Sequence, residues 1–196
     1  MHNIFLTNNL TSSHPPKSGR ATECLICRSG TYSQFPSESS RCEPCAAGSF
    51  SLSKQSSCDL CAPGTFSGNA SGICHGCLPG SFSRGGGSSV CTACSPGSFS
   101  KARQSACTLC TAGRYLESSN SAACRKCEIG TYSNAQGLST CSLCEHGTYS
   151  AVVETTSCTS CAVNYNTTGP AKTSADFCIP HCPAGTSGFN GVQPCR

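Results

Sequence analysis

Pairs of cysteines separated by two residues recur along this 196-residue chain. Nine such Cys-x-x-Cys doublets occur, and their first cysteines are 16 to 18 residues apart. The doublets are Cys24/Cys27, Cys42/Cys45, Cys58/Cys61, Cys74/Cys77, Cys91/Cys94, Cys107/Cys110, Cys124/Cys127, Cys141/Cys144 and Cys158/Cys161. A wider pair, Cys178 and Cys182, follows, and Cys195 stands alone after it. Cysteines in this spacing form disulfides, bind zinc through thiolates or act as redox catalysts.

Disulfides are the first hypothesis, because joining the second cysteine of each doublet to the first cysteine of the next closes ten short loops. The pairs are Cys27–Cys42, Cys45–Cys58, Cys61–Cys74, Cys77–Cys91, Cys94–Cys107, Cys110–Cys124, Cys127–Cys141, Cys144–Cys158, Cys161–Cys178, and Cys182 with Cys195. Cys24 is then unpaired, as it would be if its partner lay upstream, and we expect it to form disulfides between molecules. A closed loop of about 15 residues is worth about 3 kcal/mol in the chain-entropy model. Spacing alone leaves open an interleaved pairing between successive doublets.

Zinc is the alternative, because two doublets separated by 12 to 14 residues resemble structural sites with four thiolate ligands. Nine doublets cannot be grouped in twos without a remainder, and the spacing does not alternate between short and long. The five histidines also share no repeat position. A redox catalyst needs one doublet with a lowered thiol pKa in a βαβ context, and nine near-identical doublets in turn-rich sequence argue against it. Disulfides are therefore favoured.

Each doublet from Cys24/Cys27 to Cys141/Cys144 is followed by a glycine and then by an aromatic residue two positions later. The glycines are Gly30, Gly48, Gly64, Gly80, Gly97, Gly113, Gly130 and Gly147; the aromatics are Tyr32, Phe50, Phe66, Phe82, Phe99, Tyr115, Tyr132 and Tyr149. Glycine permits the positive φ of a tight turn, and Asn164, which replaces it after Cys161, is among the residues next best tolerated there. We expect the aromatic side chain to pack on a neighbouring cystine and to supply most of the buried area of its unit. Residues 85–87 (GGG) are interpreted as spare loop length.

The rest of each unit has the composition of turns. We therefore predict a small disulfide-rich fold that is mostly irregular, with short β-hairpins and almost no helix. Stacked units predict an elongated tandem-repeat rod in which each unit contacts mainly its neighbours. The array is assigned to residues 24–196, and residues 1–23 to an unstructured leader or an imprecise start.

Composition excludes several classes of protein. Ile, Leu, Val and Phe number only 28 together, too few for the single large core of a globular enzyme. No apolar stretch is long enough for a membrane span, and the 13 basic residues form no cluster for nucleic acid. No catalytic constellation and no cofactor are predicted, so we expect a protein that is not an enzyme.

A chain with this many disulfides is expected outside the reducing cytosol. Three glycosylation sequons are compatible with that location, at Asn9, Asn69 and Asn166. The sequence therefore predicts an extracellular or cell-surface glycoprotein.

Two stretches carry a resemblance to a known family. Residues 127–133 (CEIGTYS), running to residues 141–144 (CSLC), resemble the ephrin type A/B receptor-like cysteine-rich repeat, and so do residues 61–67 (CAPGTFS), running to Cys74. These repeats belong with the growth-factor-receptor and tumour-necrosis-factor-receptor types of cysteine-rich module. The resemblance implies structural disulfides and an extracellular segment of a cell-surface or secreted protein, acting as a stalk or a protein-interaction module. Its implied partners are a protein ligand or neighbouring domains of a longer chain, and no ephrin-binding site is carried over.

Overall fold

The computed structural model describes residues 26–34 and 41–180, which form nine β-hairpins in succession. The strands are β1 (Thr31–Tyr32), β2 (Glu43–Pro44), β3 (Ser49–Phe50), β4 (Asp59–Leu60), β5 (Thr65–Phe66), β6 (His75–Gly76), β7 (Ser81–Phe82), β8 (Thr92–Ala93), β9 (Ser98–Phe99), β10 (Thr108–Leu109), β11 (Arg114–Tyr115), β12 (Arg125–Lys126), β13 (Thr131–Tyr132), β14 (Ser142–Leu143), β15 (Thr148–Tyr149), β16 (Thr159–Ser160), β17 (Tyr165–Thr167) and β18 (Cys178–Pro180). Each odd-numbered strand pairs antiparallel with the next strand in the chain. A single 3-10 turn, Ala175–Phe177, precedes β18. The predicted disulfide-rich array of short hairpins with almost no helix is confirmed for the described residues.

The repeat determines where each strand lies. From β1 to β16, the first strand of a hairpin follows the turn glycine, and the second strand is the pair of residues inside the next doublet. In β3–β4, for example, Phe50 lies opposite Asp59, and the Cys61 N–H donates to the Gly48 carbonyl oxygen at 2.9 Å. The hairpin therefore begins and ends beside cysteines.

Positive φ angles occur where the sequence predicts them. The eight turn glycines have φ between 77° and 88°, and Asn164 has φ 66°. The prediction that Asn164 substitutes for the turn glycine is confirmed.

Successive hairpins are joined through the residue that follows the aromatic, which is serine in seven hairpins and is called here the ladder serine. The ladder serines are Ser33, Ser51, Ser67, Ser83, Ser100, Ser133 and Ser150. The Ser67 hydroxyl donates to the Ser49 carbonyl oxygen at 2.9 Å, and the Ser67 carbonyl accepts the Gly48 N–H at 2.9 Å. Leu116 takes this position in β11–β12, where its carbonyl still accepts the Gly97 N–H at 2.8 Å. The backbone bond is thus kept even where the hydroxyl is absent.

The fully buried side chains are cysteines and ladder serines. Cys61 and Ser67 are each 0 % exposed, whereas the eight repeat aromatics are half-buried. The share of buried area that the aromatics contribute stays a prediction. At the centre of the array lie sulfur atoms and hydrogen-bonded hydroxyls in place of an aliphatic core.

Contacts also reach the hairpin after next. Each hairpin from β3–β4 on has in its loop a residue, called here the loop residue, whose position in β9–β10 belongs to Arg103, with φ 62°. The Arg103 N–H donates to the Cys77 carbonyl of the preceding hairpin at 2.8 Å. Its own carbonyl oxygen lies against Gly64, two hairpins back, so a Cβ on Gly64 would overlap it. The expectation that units contact mainly their immediate neighbours therefore needs extension by one unit.

Gly87 is the loop residue of β7–β8. Its N–H donates to the Cys61 carbonyl at 2.8 Å, and its carbonyl oxygen lies against Gly48. The interpretation of residues 85–87 as spare loop length was wrong, because this loop makes the same two contacts as the others.

Candidate interaction surface

Nine disulfides run along the described residues, joining the same cysteines as the sequence-based pairing. They are Cys27–Cys42, Cys45–Cys58, Cys61–Cys74, Cys77–Cys91, Cys94–Cys107, Cys110–Cys124, Cys127–Cys141, Cys144–Cys158 and Cys161–Cys178. Cys24, Cys182 and Cys195 lie outside the described residues. In the first eight bonds the cysteine before the turn glycine is buried and its partner is half-buried. Each bond therefore lies across the edge of the array, with one sulfur inside.

Metal-binding geometry is not found in the described part of the chain, where no group of three or more His, Cys, Asp or Glu side chains could hold an ion. His75, the histidine inside a doublet, lies in β6 with its ring centroid 6.0 Å from that of Phe66. Its contact is with its own hairpin.

A second contact, between hairpins two apart, matches side chains by size. It joins the residue just before the second cysteine of a doublet, called here the doublet-end residue, to the loop residue two hairpins on. The pairs in contact are Leu60 with Gly87, Leu109 with Gly137, Gly76 with Arg103, and Lys126 with Glu154. A large side chain on one hairpin thus meets glycine on the other, and a cation meets an anion.

Glu154 is the charged member of this set. Its carboxylate accepts hydrogen bonds from Lys126 Nζ at 2.8 Å and from Arg114 Nε at 2.5 Å, which connects the β15–β16 loop to β11 and β12. These bonds, the one from Lys126 first and then the one from Arg114, lower the pKa of Glu154 below its ordinary value. Because about a third of both the Arg114 and Glu154 side chains is exposed, solvent screening keeps the contribution of the bridge to stability small.

The last hairpin, β17–β18, presents the largest concentration of exposed apolar side chains among the described hairpins. Val163, Tyr165, Phe177 and Ile179 are exposed, with Val163 at 86 %. A cavity of about 330 Å³ opens beside them, lined by Tyr149, Ser160, Cys161, Ala162, Tyr165, Ala175 and Cys178. We call these four apolar residues and the cavity the terminal apolar surface. Aromatic and aliphatic side chains beside a concavity are the usual centre of a protein–protein contact.

The predicted glycosylation sites differ in accessibility. Asn69 is exposed in the β5–β6 loop, where its Oδ1 accepts the Ala47 N–H at 2.9 Å. Asn166 is half-buried in β17, and its Oδ1 accepts the Thr167 N–H at 2.8 Å. Asn9 lies outside the described residues. The surroundings of Asn69 are the more open of the two.

In the part of the chain that the structure describes, no helix has the length and apolar character that crossing a bilayer requires.

Comparison with known families gives one match. Residues 130–178 match the family model described as "Tyrosine-protein kinase ephrin type A/B receptor-like". The segment begins at a turn glycine, ends at the cysteine of the last described disulfide, and includes β13 to β18. No curated protein matches the chain in sequence. The match supports the resemblance stated from the motifs, and this family is one of structural cysteine-rich repeats.

Proposed function

We propose that residues 24–196 form one continuous array that serves as a stiff spacer in an extracellular or cell-surface protein. The observation that carries this proposal is the double connection of each hairpin, since the turn glycine bonds the next unit and packs against the unit after it. A joint held at two successive units resists bending more than a joint held at one. An array of this kind holds neighbouring domains apart.

Small-angle scattering tests the spacer proposal. A compact domain of this length has a radius of gyration of about 16 Å, so a rod should exceed that value clearly. A value near 16 Å for the oxidised monomer would contradict the proposal.

Location outside the cytosol is proposed from the disulfides and the family match. The test is alkylation and intact mass, with metal analysis alongside, on chain made through a secretory route. We expect at most one free thiol and no metal, and peptide mapping of the ten pairs given above. Some twenty free thiols with about one zinc per four thiolates would favour a metal-binding protein.

Protein binding is the second part of the proposal, and the terminal apolar surface supports it best. A Tyr165→Ser/Val163→Ser variant should lose binding to the native partner on a cell surface. Leu78→Ser is the matched control, because Leu78 is equally exposed but lies far along the array. Equal loss in both variants would contradict the assignment of this surface.

Glycosylation at Asn69 and Asn166, and at Asn9, is also proposed. Removal of N-linked glycans from the secreted chain should reduce its mass, and Asn69→Gln should remove the largest fraction of that shift. No mass change after the treatment would contradict the proposal.

A further inference from the structure

The first hairpin, β1–β2, contains a buried polar group without a partner. The Ser33 residue is 8 % exposed, and its hydroxyl makes no hydrogen bond. Among the side-chain oxygen and nitrogen atoms of the described residues, no other is both buried and unpaired. A buried hydroxyl in this condition costs about 1–3 kcal/mol, so its presence calls for a physical reason.

The equivalent hydroxyls show what this position binds. Ser51 Oγ donates to the Thr31 carbonyl of the preceding hairpin at 3.0 Å, while the Ser51 carbonyl accepts the Gly30 N–H at 2.8 Å. Ser67 makes the same two bonds to Ser49 and Gly48. The hydroxyl of a ladder serine thus binds the carbonyl of the residue after the turn glycine, one hairpin upstream. For Ser33 that hairpin would lie before Cys24.

Ile26 provides an independent observation at the same end. In the eight later doublets the residue before the second cysteine lies in the second strand of a hairpin, as Leu60 does in β4 and Leu109 in β10. Ile26 has this position in the first doublet, yet it belongs to no strand of the described residues and is 61 % exposed. The edge that it presents is one that the repeat otherwise covers with a strand.

We propose that the upstream face, made of Ile26 and Ser33, is a docking surface for one more unit of the same repeat, joined in the polypeptide directly before Cys24. The incoming unit places its strand beside Ile26 and its strand carbonyl on the Ser33 hydroxyl. Its cysteine pairs with Cys24, which the pairing of the other cysteines leaves over. A unit in the same polypeptide is favoured over a second molecule, because the equivalent interfaces within residues 41–180 all join consecutive units.

The test supplies such a unit. Residues 1–23 of the full chain are replaced by a copy of residues 44–57, which in its native place precedes Cys58 and makes the regular interface with Ser67. We expect the free thiol of Cys24 to disappear and a peptide to appear that joins Cys24 to the copied Cys45. Ser33→Ala should lower the Tm of the extended chain by about 2–4 °C, since it breaks a buried hydrogen bond. In the parent chain the same substitution should leave the Tm unchanged or raise it, because it removes an unpaired hydroxyl.

Ser67→Ala is the matched control and should lower the Tm equally in both chains. A second extension, with a copy of residues 76–90, guards against an unsuitable donor unit. Cys24 remaining free in both extended chains would overturn the proposal, and so would an equal effect of Ser33→Ala in parent and extended chain. Docking of a second molecule would also overturn it. That outcome would appear as reversible dimerisation of a Cys24→Ser parent that Ile26→Asp abolishes.

Discussion

The hairpins from β3 to β16 and the last hairpin, β17–β18, follow the same backbone path with different side chains. In the regular hairpins a glycine makes the turn, an aromatic follows, and a ladder serine usually ends the motif. In β17–β18 these positions belong to Asn164, Asn166 and Thr167. The Gly147 N–H, whose equivalents bond to a backbone carbonyl of the next unit, bonds here to Thr167 Oγ1 at 3.1 Å.

This difference separates what the repeat requires from what it prefers. A residue that tolerates positive φ, an acceptor for the preceding glycine N–H and a disulfide are kept in both regions. The aromatic and the serine are replaceable. The last hairpin therefore satisfies the same backbone groups while exposing Tyr165 and Val163, which belong to the terminal apolar surface.

The largest expected effect comes from removing a disulfide in each region. Cys110–Cys124 spans 14 residues and Cys161–Cys178 spans 17, so the chain-entropy contribution is about 3 kcal/mol for both. Cys110 is buried and Cys161 is half-buried, so replacing the first pair by alanine should cost more, about 3–5 kcal/mol. Urea unfolding with hydrogen exchange resolved by segment measures both losses. Equal losses would show that packing of the sulfur atoms does not distinguish the two regions.

The next effect concerns the turn. Gly97 has φ 80°, and a Cβ there would overlap the Gly137 carbonyl oxygen. Gly97→Ala should therefore reduce the free energy of unfolding by about 2–4 kcal/mol. Asn164→Gly should change it by less than about 1 kcal/mol, because both residues tolerate positive φ. Gly68→Ala is the control, since a Cβ at Gly68 would meet nothing within 4 Å; a Gly97→Ala protein as stable as this control would contradict the two-unit contact.

A smaller effect distinguishes the two kinds of interface. Thr167→Val keeps the shape of the side chain but leaves the buried Gly147 N–H without its acceptor, which should cost about 1–2 kcal/mol. Ser67→Ala removes a hydroxyl while the bond from the Gly48 N–H to the Ser67 carbonyl remains, so about 1 kcal/mol should be lost. Chemical denaturation of the two variants gives the comparison. A larger loss for Ser67→Ala would mean that the hydroxyl, and not the backbone bond, holds the regular interface.

The sequence predicts the parts of this fold that depend on local requirements. Positive φ at Gly97 and at Asn164 followed from the residue types, and the hairpins followed from the doublet spacing. The role of Ser67 was missed, because serine is common throughout the chain and a buried serine cannot be distinguished from an exposed one. Its recurrence directly after the aromatic was the available signal. The pairing of Leu60 with Gly87 was also missed, since it joins units that are not adjacent and no local pattern marks it.

The smallest effect is a pH dependence confined to one contact. The pKa of Glu154 is lowered by hydrogen bonds from Lys126 and Arg114, so the ionised carboxylate stabilises the contact of the β15–β16 loop with β11–β12. That contribution is complete above the ordinary glutamate pKa of about 4.3 and is lost as the pH falls through the lowered value. Amide exchange in the β15–β16 loop should therefore accelerate below pH 4.

The β17–β18 loop contains the matched control. There the loop residue Ala171 carries no charge, and its N–H donates to the Cys144 carbonyl at 2.7 Å. Its exchange, corrected for the intrinsic effect of pH, should stay constant over the same range, and Glu154→Gln should abolish the difference between the two loops. Parallel acceleration in both loops would instead indicate general loosening of the array in acid, and the charged pair would then have no role in holding hairpins that lie two units apart.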